Sequence, residues 1–479
     1  TMKIKQRKIV VIQLKRILEK LAHNPAVEVL LRDGNEIGNL NPIEEALLIA
    51  ATYEQKKKRM LIVKSNQYTA QKLMDRLIPL TSAKVLLFSV EDSLRVEAIA
   101  SSPESKAIQL ETMNAMLEGE ADIVITHAAG LIRYLPSVDF FQQCSLHLKV
   151  NQTISMEELK ERLFYAGYEL VARVDQPLTY AHRGGIIDVF SMNQNDPIRI
   201  EFFDNEIESI RYFDITTQRT ISLVDEIKII PASDLLFSDD DIAQIVSSGN
   251  EKLEKVKRDH SDLINQTLDE TINADFDGLM NHVKENHYYR YYALCSHETT
   301  IKDYFDATIY LSSIDDVEEK IKRIQEETIA YIQELVKEGR ALPIYSLFAS
   351  LQKALGSKKV VEFQSFVDMH SYIISGIQQL DMADLSLELK LKKIIEEAKE
   401  NTVLLCLNET ESALVSETLK NMHEKAVFLD EKDSLKQGLF IVKKELYEGF
   451  SCTHEHVIVY SSKELFNERR IIGRHTNKF

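Results

Sequence analysis

The sequence predicts an α/β protein of several domains, and three observations carry that expectation. From position 46 to 126, short apolar runs such as Met60-Leu61-Ile62-Val63 alternate with helical stretches such as Ala46 to Gln55, the pattern of a parallel sheet covered on both faces. From 180 to 219 the period drops to two around a turn, as in an antiparallel hairpin. At 479 residues the chain exceeds what one core supports and divides into about three or four domains.

Taken in order, residues 9 to 31 read as an amphipathic helix carried by Ile12, Leu14, Ile17, Leu18 and Leu21. It breaks near Asn24-Pro25 and is followed by a short apolar piece, Val27 to Leu31. The segment Gly38-Asn39-Leu40-Asn41-Pro42-Ile43-Glu44-Glu45 leads into the helix at Ala46. After the strand at Met60 come a helix at Tyr68 to Leu80, a strand at Lys84 to Ser89, a helix around Lys106 to Glu118 and a strand at Ala121 to Thr126. A second unit begins near Ser145. Ser155-Met156-Glu157-Glu158 is a capping box opening a helix through Tyr165, with Gly167 to end it.

His182-Arg183-Gly184-Gly185 leads into the mostly apolar run Ile186 to Phe190, interrupted by Asp188; the glycine pair lets the backbone turn or approach another segment closely. In Pro197 to Phe203, Ile198, Ile200 and Phe202 fall on one face, Arg199 and Glu201 on the other. Asp204-Asn205 turns the chain and Glu206 to Phe213 returns. A guanidinium and a carboxylate stand side by side there, on what is either a solvated sheet surface or a docking face.

Beyond Pro231 the texture changes to long charged helices at Asp239 to Asp259, Ser261 to Glu285 and Val317 to Glu338. The cluster His287-Tyr288-Tyr289-Arg290-Tyr291-Tyr292 has residue types that stack on bases, although tyrosines at helical spacing are more often packing residues. A third module starts near Glu362. It has helices at Ser386 to Glu400 and Glu409 to Met422, and strands at Val403 to Leu407, Ala426 to Leu429, Leu439 to Val442 and His456 to Tyr460. Its strand ends carry no clustered acid, base or nucleophile. Cys452-x-His454-x-His456 offers only three ligands on one strand face and reads as a loop entering a strand.

Asp and Glu number 75 against 58 Lys and Arg, a net charge of −17 that argues against broad non-specific affinity for nucleic acid. A local basic stretch occurs at Lys463 to Phe479, through Arg469, Arg470, Arg474 and Lys478. No apolar run reaches membrane-spanning length, and the basic start (Lys3, Lys5, Arg7, Lys8) precedes only Ile-Val-Val-Ile, so no secretory signal is read. Cys144, Cys295, Cys406 and Cys452 lie far apart, as reduced cytosolic thiols do.

The runs R-G-G-I-I-D-V-F from Arg183, P-I-R-I-E-F-F-D-N-E-I-E-S-I-R-Y-F-D from Pro197 and T-Q-R from Thr217 resemble the second domain shared by bacterial transcription-repair coupling factors and the excision-repair subunit UvrB. The resemblance implies a non-catalytic docking surface for UvrA, with polar contacts at Arg183, Arg199 and Glu201, a fourth at Arg173 in VARVDQ, and apolar neighbours such as Tyr180 or Phe190. Where UvrB carries a further arginine, this chain has Ala181. The resemblance also implies a first domain related to RecA-like motors. Such motors hold phosphates with G-x-x-x-x-G-K-[ST] ahead of a helix. Here Gly38 keeps the first glycine, while Ile43, Glu44 and Glu45 stand in place of the second glycine, the lysine and the hydroxyl. Two carboxylates would repel a phosphate, and a β-branched residue does not readily take a glycine conformation. A degenerate phosphate loop without a nucleotide or other cofactor is the expectation. The aromatic hairpin with which UvrB grips DNA has no counterpart between Phe88 and Ser105, which fits the coupling factors better.

The implied layout is a first domain split over residues 1–144 and 232–361, an inserted α+β docking domain at 145–231, a third small α/β domain at 362–466, and a basic linker at 467–479. The linker would lead to an RNA-polymerase-binding domain and an ATP- and Mg2+-dependent DNA translocase, a carboxyl-terminal part that could mask the docking domain. The implied location is the bacterial cytoplasm. A degenerate helicase-like ATPase and a DNA-binding module are the alternatives.

Overall fold

The computed structural model describes residues 16–35, 37–95, 103–258, 261–363, 373–425, 427–429 and 435–467. The start of the first expected helix, residues 96–102 of the Phe88 to Ser105 stretch and the arginines of the basic tail lie outside the described residues. The first helix does break before Asn24, and the short apolar piece Val27 to Leu31 is itself helical: Asn24 caps a helix Pro25–Leu31, with Pro25 at its first position, where a missing N–H costs nothing.

Strand Met60–Lys64 lies at the centre of a five-stranded parallel sheet, ordered Val360–Glu362, Thr308–Leu311, Met60–Lys64, Ile123–His127 and Val85–Leu87. Two of its strands come from beyond residue 300, so this unit is assembled from two stretches of chain with the second unit between them. Alternate side chains feed two cores. Leu61, Val63 and Val124 pack with Phe88, Leu131, Tyr289 and Tyr292, whereas Met60, Ile62, Ile123 and Ile125 pack with Ile43, Leu47 and Leu73.

That second core runs on into the third unit. Its sheet is ordered Ile377–Gln379, Phe450–Cys452, Val457–Ser461, Thr402–Leu407, Gly438–Lys443 and Val427–Phe428. Phe450, Cys452, Leu404 and Cys406 join the cluster around Ile43 and Leu47. Helix Pro42–Lys56 is therefore apolar nearly all round, as a helix sandwiched between two sheets must be. Strands Ile377–Gln379 and Phe450–Cys452 were not expected from the sequence; at three residues each they form an antiparallel edge on an otherwise parallel sheet. Cys452, His454 and His456 form no ligand cluster among the described residues.

The Tyr288–Tyr292 cluster is a 3-10 segment, Asn286–Leu294, and all four tyrosines are buried. Tyr292 donates to the backbone oxygen of Asp234 at 2.6 Å, and Arg290 bonds Asp275, so this cluster is packing and leaves no ring for a base.

In the second unit the entering strand Leu146–Lys149 pairs antiparallel with the leaving strand Glu226–Ile229. An inserted unit needs its two ends side by side, and this ladder brings them there. Helix Met156–Tyr165 presents Leu159 and Leu163 to Ile187, Ile198 and Ile200. The Ser155 side chain accepts from the Glu158 N–H at 3.1 Å, but the Glu158 carboxylate faces Arg162, so half of the expected capping box forms. Gly167, at φ +89°, ends the turn with no room for a Cβ against Ser233. Ser155→Ala should lower stability by about 1 kcal/mol, read as a shift in denaturant midpoint at unchanged slope.

Candidate docking face

A six-stranded sheet forms most of the inserted unit, ordered Thr220–Val224, Glu206–Phe213, Ile198–Phe203, Ile186–Val189, Thr179–Arg183 and Glu169–Leu170. One face is the core, built from Tyr180, Ile187, Val189, Ile198, Ile200, Ile207 and Ile210. Because side chains alternate, their sequence neighbours form the outer face. Register sorts these into two adjacent rows. Arg183, Ile186, Glu201 and Ser209 lie opposite one another in the first; Ala181, Asp188, Arg199, Arg211 and Leu223 do so in the second. The sheet thus brings Arg183, Arg199 and Glu201 onto one face.

The two-residue turn Gly184-Gly185 makes this possible. Gly184 has φ +58°, which a residue with a Cβ takes only with strain, and the Gly185 carbonyl accepts from Phe202 N–H at 2.8 Å. Arg183 is therefore the last residue before a tight hairpin tip. It is exposed and pairs with none of the described residues.

Arg199 and Glu201 are held differently. Arg199 Nε donates to Asp188 Oδ1 at 2.7 Å and Nη2 to Oδ2 at 2.8 Å, a bidentate pair across neighbouring strands, and Nη2 also reaches Gln218 Oε1 at 3.0 Å. Its guanidinium lies 4.4 Å from the Phe213 ring centroid. Glu201 accepts from Ser209 Oγ at 2.8 Å and from Arg211. Asp188 and Arg211 went unnamed as site residues in the sequence reading. Counting back from the Gly184-Gly185 turn places Asp188 opposite Ala181, on the outer face; its pairing with Arg199 is set by the next strand connection, residues 190–197. Arg173 is exposed at the margin, its Nη2 donating to the Ile215 carbonyl at 2.8 Å.

The apolar neighbours differ from expectation. Tyr180 lies in the core and Phe190 is covered, packing with Val174 and Ala181. Val174 and Phe190 close over Ala181. Phe203, 75 % exposed, and Leu223, 70 % exposed, flank the charged rows instead.

The segment read as a degenerate phosphate loop is a capped helix start. Asn41 caps helix Pro42–Lys56: its side chain accepts from Glu44 N–H at 2.9 Å, and the Glu44 carboxylate accepts from Asn41 N–H at 3.0 Å. Glu44 also accepts from Ser375 of the third unit, and burial pushes its carboxyl pKa up. Glu45 pairs with Lys64 at 2.6 Å and accepts from Ser312. Ile43 sits in the helix, buried, where no glycine conformation is required, and the left-handed residue of the loop is Asn39 at φ +52°, not Gly38. No strand enters this loop among the described residues, so the geometry of a phosphate loop is not reproduced. The helix's positive end is met by two of its own carboxylates.

Residues 146–235 match the model of the UvrB interaction domain, a span that opens with the strand Leu146–Lys149 and ends beyond its partner Glu226–Ile229. Over 449 residues, 90 % of this chain, the sequence is 26 % identical to the transcription-repair-coupling factor of Bacillus subtilis (strain 168). The chain resembles the transcription-repair-coupling factors. A second one, from Staphylococcus haemolyticus (strain JCSC1435), is 25 % identical over 91 % of the chain, and one from Staphylococcus aureus (strain bovine RF122 / ET3-1) is 24 % identical over 91 %. In each case the chain spans 38 % of the relative's length. No helix among the described residues is long and apolar enough to cross a membrane.

Proposed function

We propose that this chain recruits UvrA in transcription-coupled nucleotide excision repair, through the outer face of its inserted sheet, and that it acts as a docking region and not as a motor. The observation that carries the reading is Arg183: an exposed guanidinium with no side-chain partner among the described residues, at a tight hairpin tip, beside two charge pairs already formed. A partner carboxylate meeting it gains a charge-assisted bond, at the cost of ordering that one side chain on this side. Arg199 and Glu201 contribute as a preorganised surface, offering edges of groups whose geometry is set before binding; Phe203 and Leu223 supply apolar area around them.

Residues 38–45 offer a phosphate no place, since it would have to displace Glu44 and Glu45 from Asn41, Ser375, Lys64 and Ser312. Contacts to RNA polymerase and DNA, use of ATP and Mg2+, and any masking of the docking face are assigned to the part of the relatives' length that this chain does not span. A cytoplasmic location follows from that role.

Calorimetric titration of the chain into purified UvrA tests the reading. Saturable heat is expected; a folded chain that gives none would sink the docking assignment. In parallel, Mg-ATP should give no heat with this chain alone, and saturable ATP binding would overturn the reading of residues 38–45.

A further inference from the structure

We propose that Asp241, Cys295 and His297 form a binding site for a divalent transition metal of the zinc type, clipping the start of helix Asp239–Lys257 to the segment that follows the tyrosine cluster. One ligand atom from each of the three lies within 4.8 Å of the other two. The donors are an oxygen, a sulfur and a nitrogen, the mixture that selects zinc-like ions over Mg2+ or Ca2+.

Two of the three ligands already have their outer partners in place. Asp241 uses Oδ2 for the helix cap, accepting from Ser238 N–H at 3.0 Å and Oγ at 2.6 Å, and so turns Oδ1 toward His297. His297 Nδ1 lies 3.2 Å from Thr299 Oγ1, and the ring stands edge-on to Tyr292. With Nδ1–H donating to Thr299, Nε2 presents a lone pair. That nitrogen is buried without a hydrogen-bond partner and faces Asp241 Oδ1 at 3.5 Å. In that tautomer two acceptors face each other and a cation between them satisfies both; with the proton on Nε2 the contact is a His297–Asp241 ion pair. Two ligands at about 2.0 Å on one tetrahedral ion stand about 3.3 Å apart, close to the separation present. Cys295 and His297 are only partly buried, which leaves an entry path, and a solvent molecule completes the fourth position.

Binding is balanced by release of the Cys295 thiol proton to solvent, since the thiolate is the ligand. Without metal, the alternative is an Asp241–His297 ion pair beside an inert buried thiol.

The experiment is titration of chelator-treated chain with Zn2+ by calorimetry and with Co2+ by absorbance. One equivalent is expected, with a thiolate-to-cobalt charge-transfer band, tetrahedral d–d intensity and a melting temperature that climbs with free Zn2+. Cys295→Ser and His297→Gln, each checked for folding by circular dichroism without metal, should lose the band or weaken binding at least tenfold. Asp241 is left intact because it caps the helix. A wild-type chain that takes up no more metal than the Cys295→Ser, His297→Gln double variant, or whose cobalt spectrum is octahedral without a thiolate band, overturns the proposal.

Discussion

Arg183→Glu is expected to abolish UvrA binding while shifting folding stability by no more than about 0.5 kcal/mol, the scale of a surface substitution that breaks no internal contact. The physical reason is that Arg183 has no intramolecular bond to lose. A charge pair desolvated at an interface costs about 2–5 kcal/mol when one member is truncated. Reversing the sign adds repulsion, so binding should weaken by more than about a thousandfold. Arg199→Ala should behave otherwise. It strands Asp188 and uncovers Phe213, so stability and binding fall together, and rescue by Lys should be partial because a point charge does not reproduce the bidentate geometry. Calorimetry of both variants against UvrA, beside urea denaturation, separates the two roles. An Arg183→Glu chain that binds as wild type would move the interface off this face, and one that is strongly destabilised would make Arg183 structural.

Period-two alternation and two turns made the hairpin face legible in the sequence, because register in an antiparallel sheet follows directly from turn length. Arg199 and Glu201 were placed on one face for that reason, whereas Arg183 was named from the family resemblance. What the sequence hid was pairing across strands. Asp188 looked like a flaw in an apolar run, yet it is the partner that fixes Arg199. Tyr180 and Phe190 are large and apolar, but the covering loop that buries Phe190 comes from Val174, which nothing local connects to it. The same limit applies at residues 38–45. Aligned by motif, Glu44 and Glu45 are lost phosphate ligands; in the fold they cap a helix and join two sheets, and Ser375, which completes that joint, lies more than three hundred positions away. The metal cluster was likewise invisible: Asp241 is more than fifty residues from Cys295 and His297, with none of the short spacing that marks a ligand motif.

Asp234→Asn is expected to cost about 3–5 kcal/mol, the penalty for breaking a buried ion pair and leaving its partners uncompensated. Asp234 follows the strand by which the inserted unit leaves, and is 1 % exposed. Its carboxylate accepts from Lys106 at 2.6 Å, Gln109 at 3.0 Å and Arg133 at 3.3 Å; Arg133, fully buried, stacks 4.1 Å over Tyr289. Burial alone would raise the Asp234 pKa, but Lys106 and Arg133 together hold it well below the usual carboxylate range. A group whose folded pKa is depressed contributes stability above its unfolded pKa, about 3.9, and loses it as pH falls toward the folded value. The gap between wild type and Asp234→Asn should therefore be full at neutral pH and narrow below about pH 4, by up to about 1.4 kcal/mol for each pH unit. Urea denaturation across that range checks it, and a gap independent of pH would mean that the substitution acts through packing or hydrogen-bond geometry. Because Tyr292 also donates to the Asp234 backbone oxygen, this carboxylate ties the root of the docking unit to the core of the first sheet. A folded Asp234→Asn chain should still bind UvrA, with the loss appearing as a lower melting temperature, since the anchor holds the unit in place and the outer face of the sheet does the recognising.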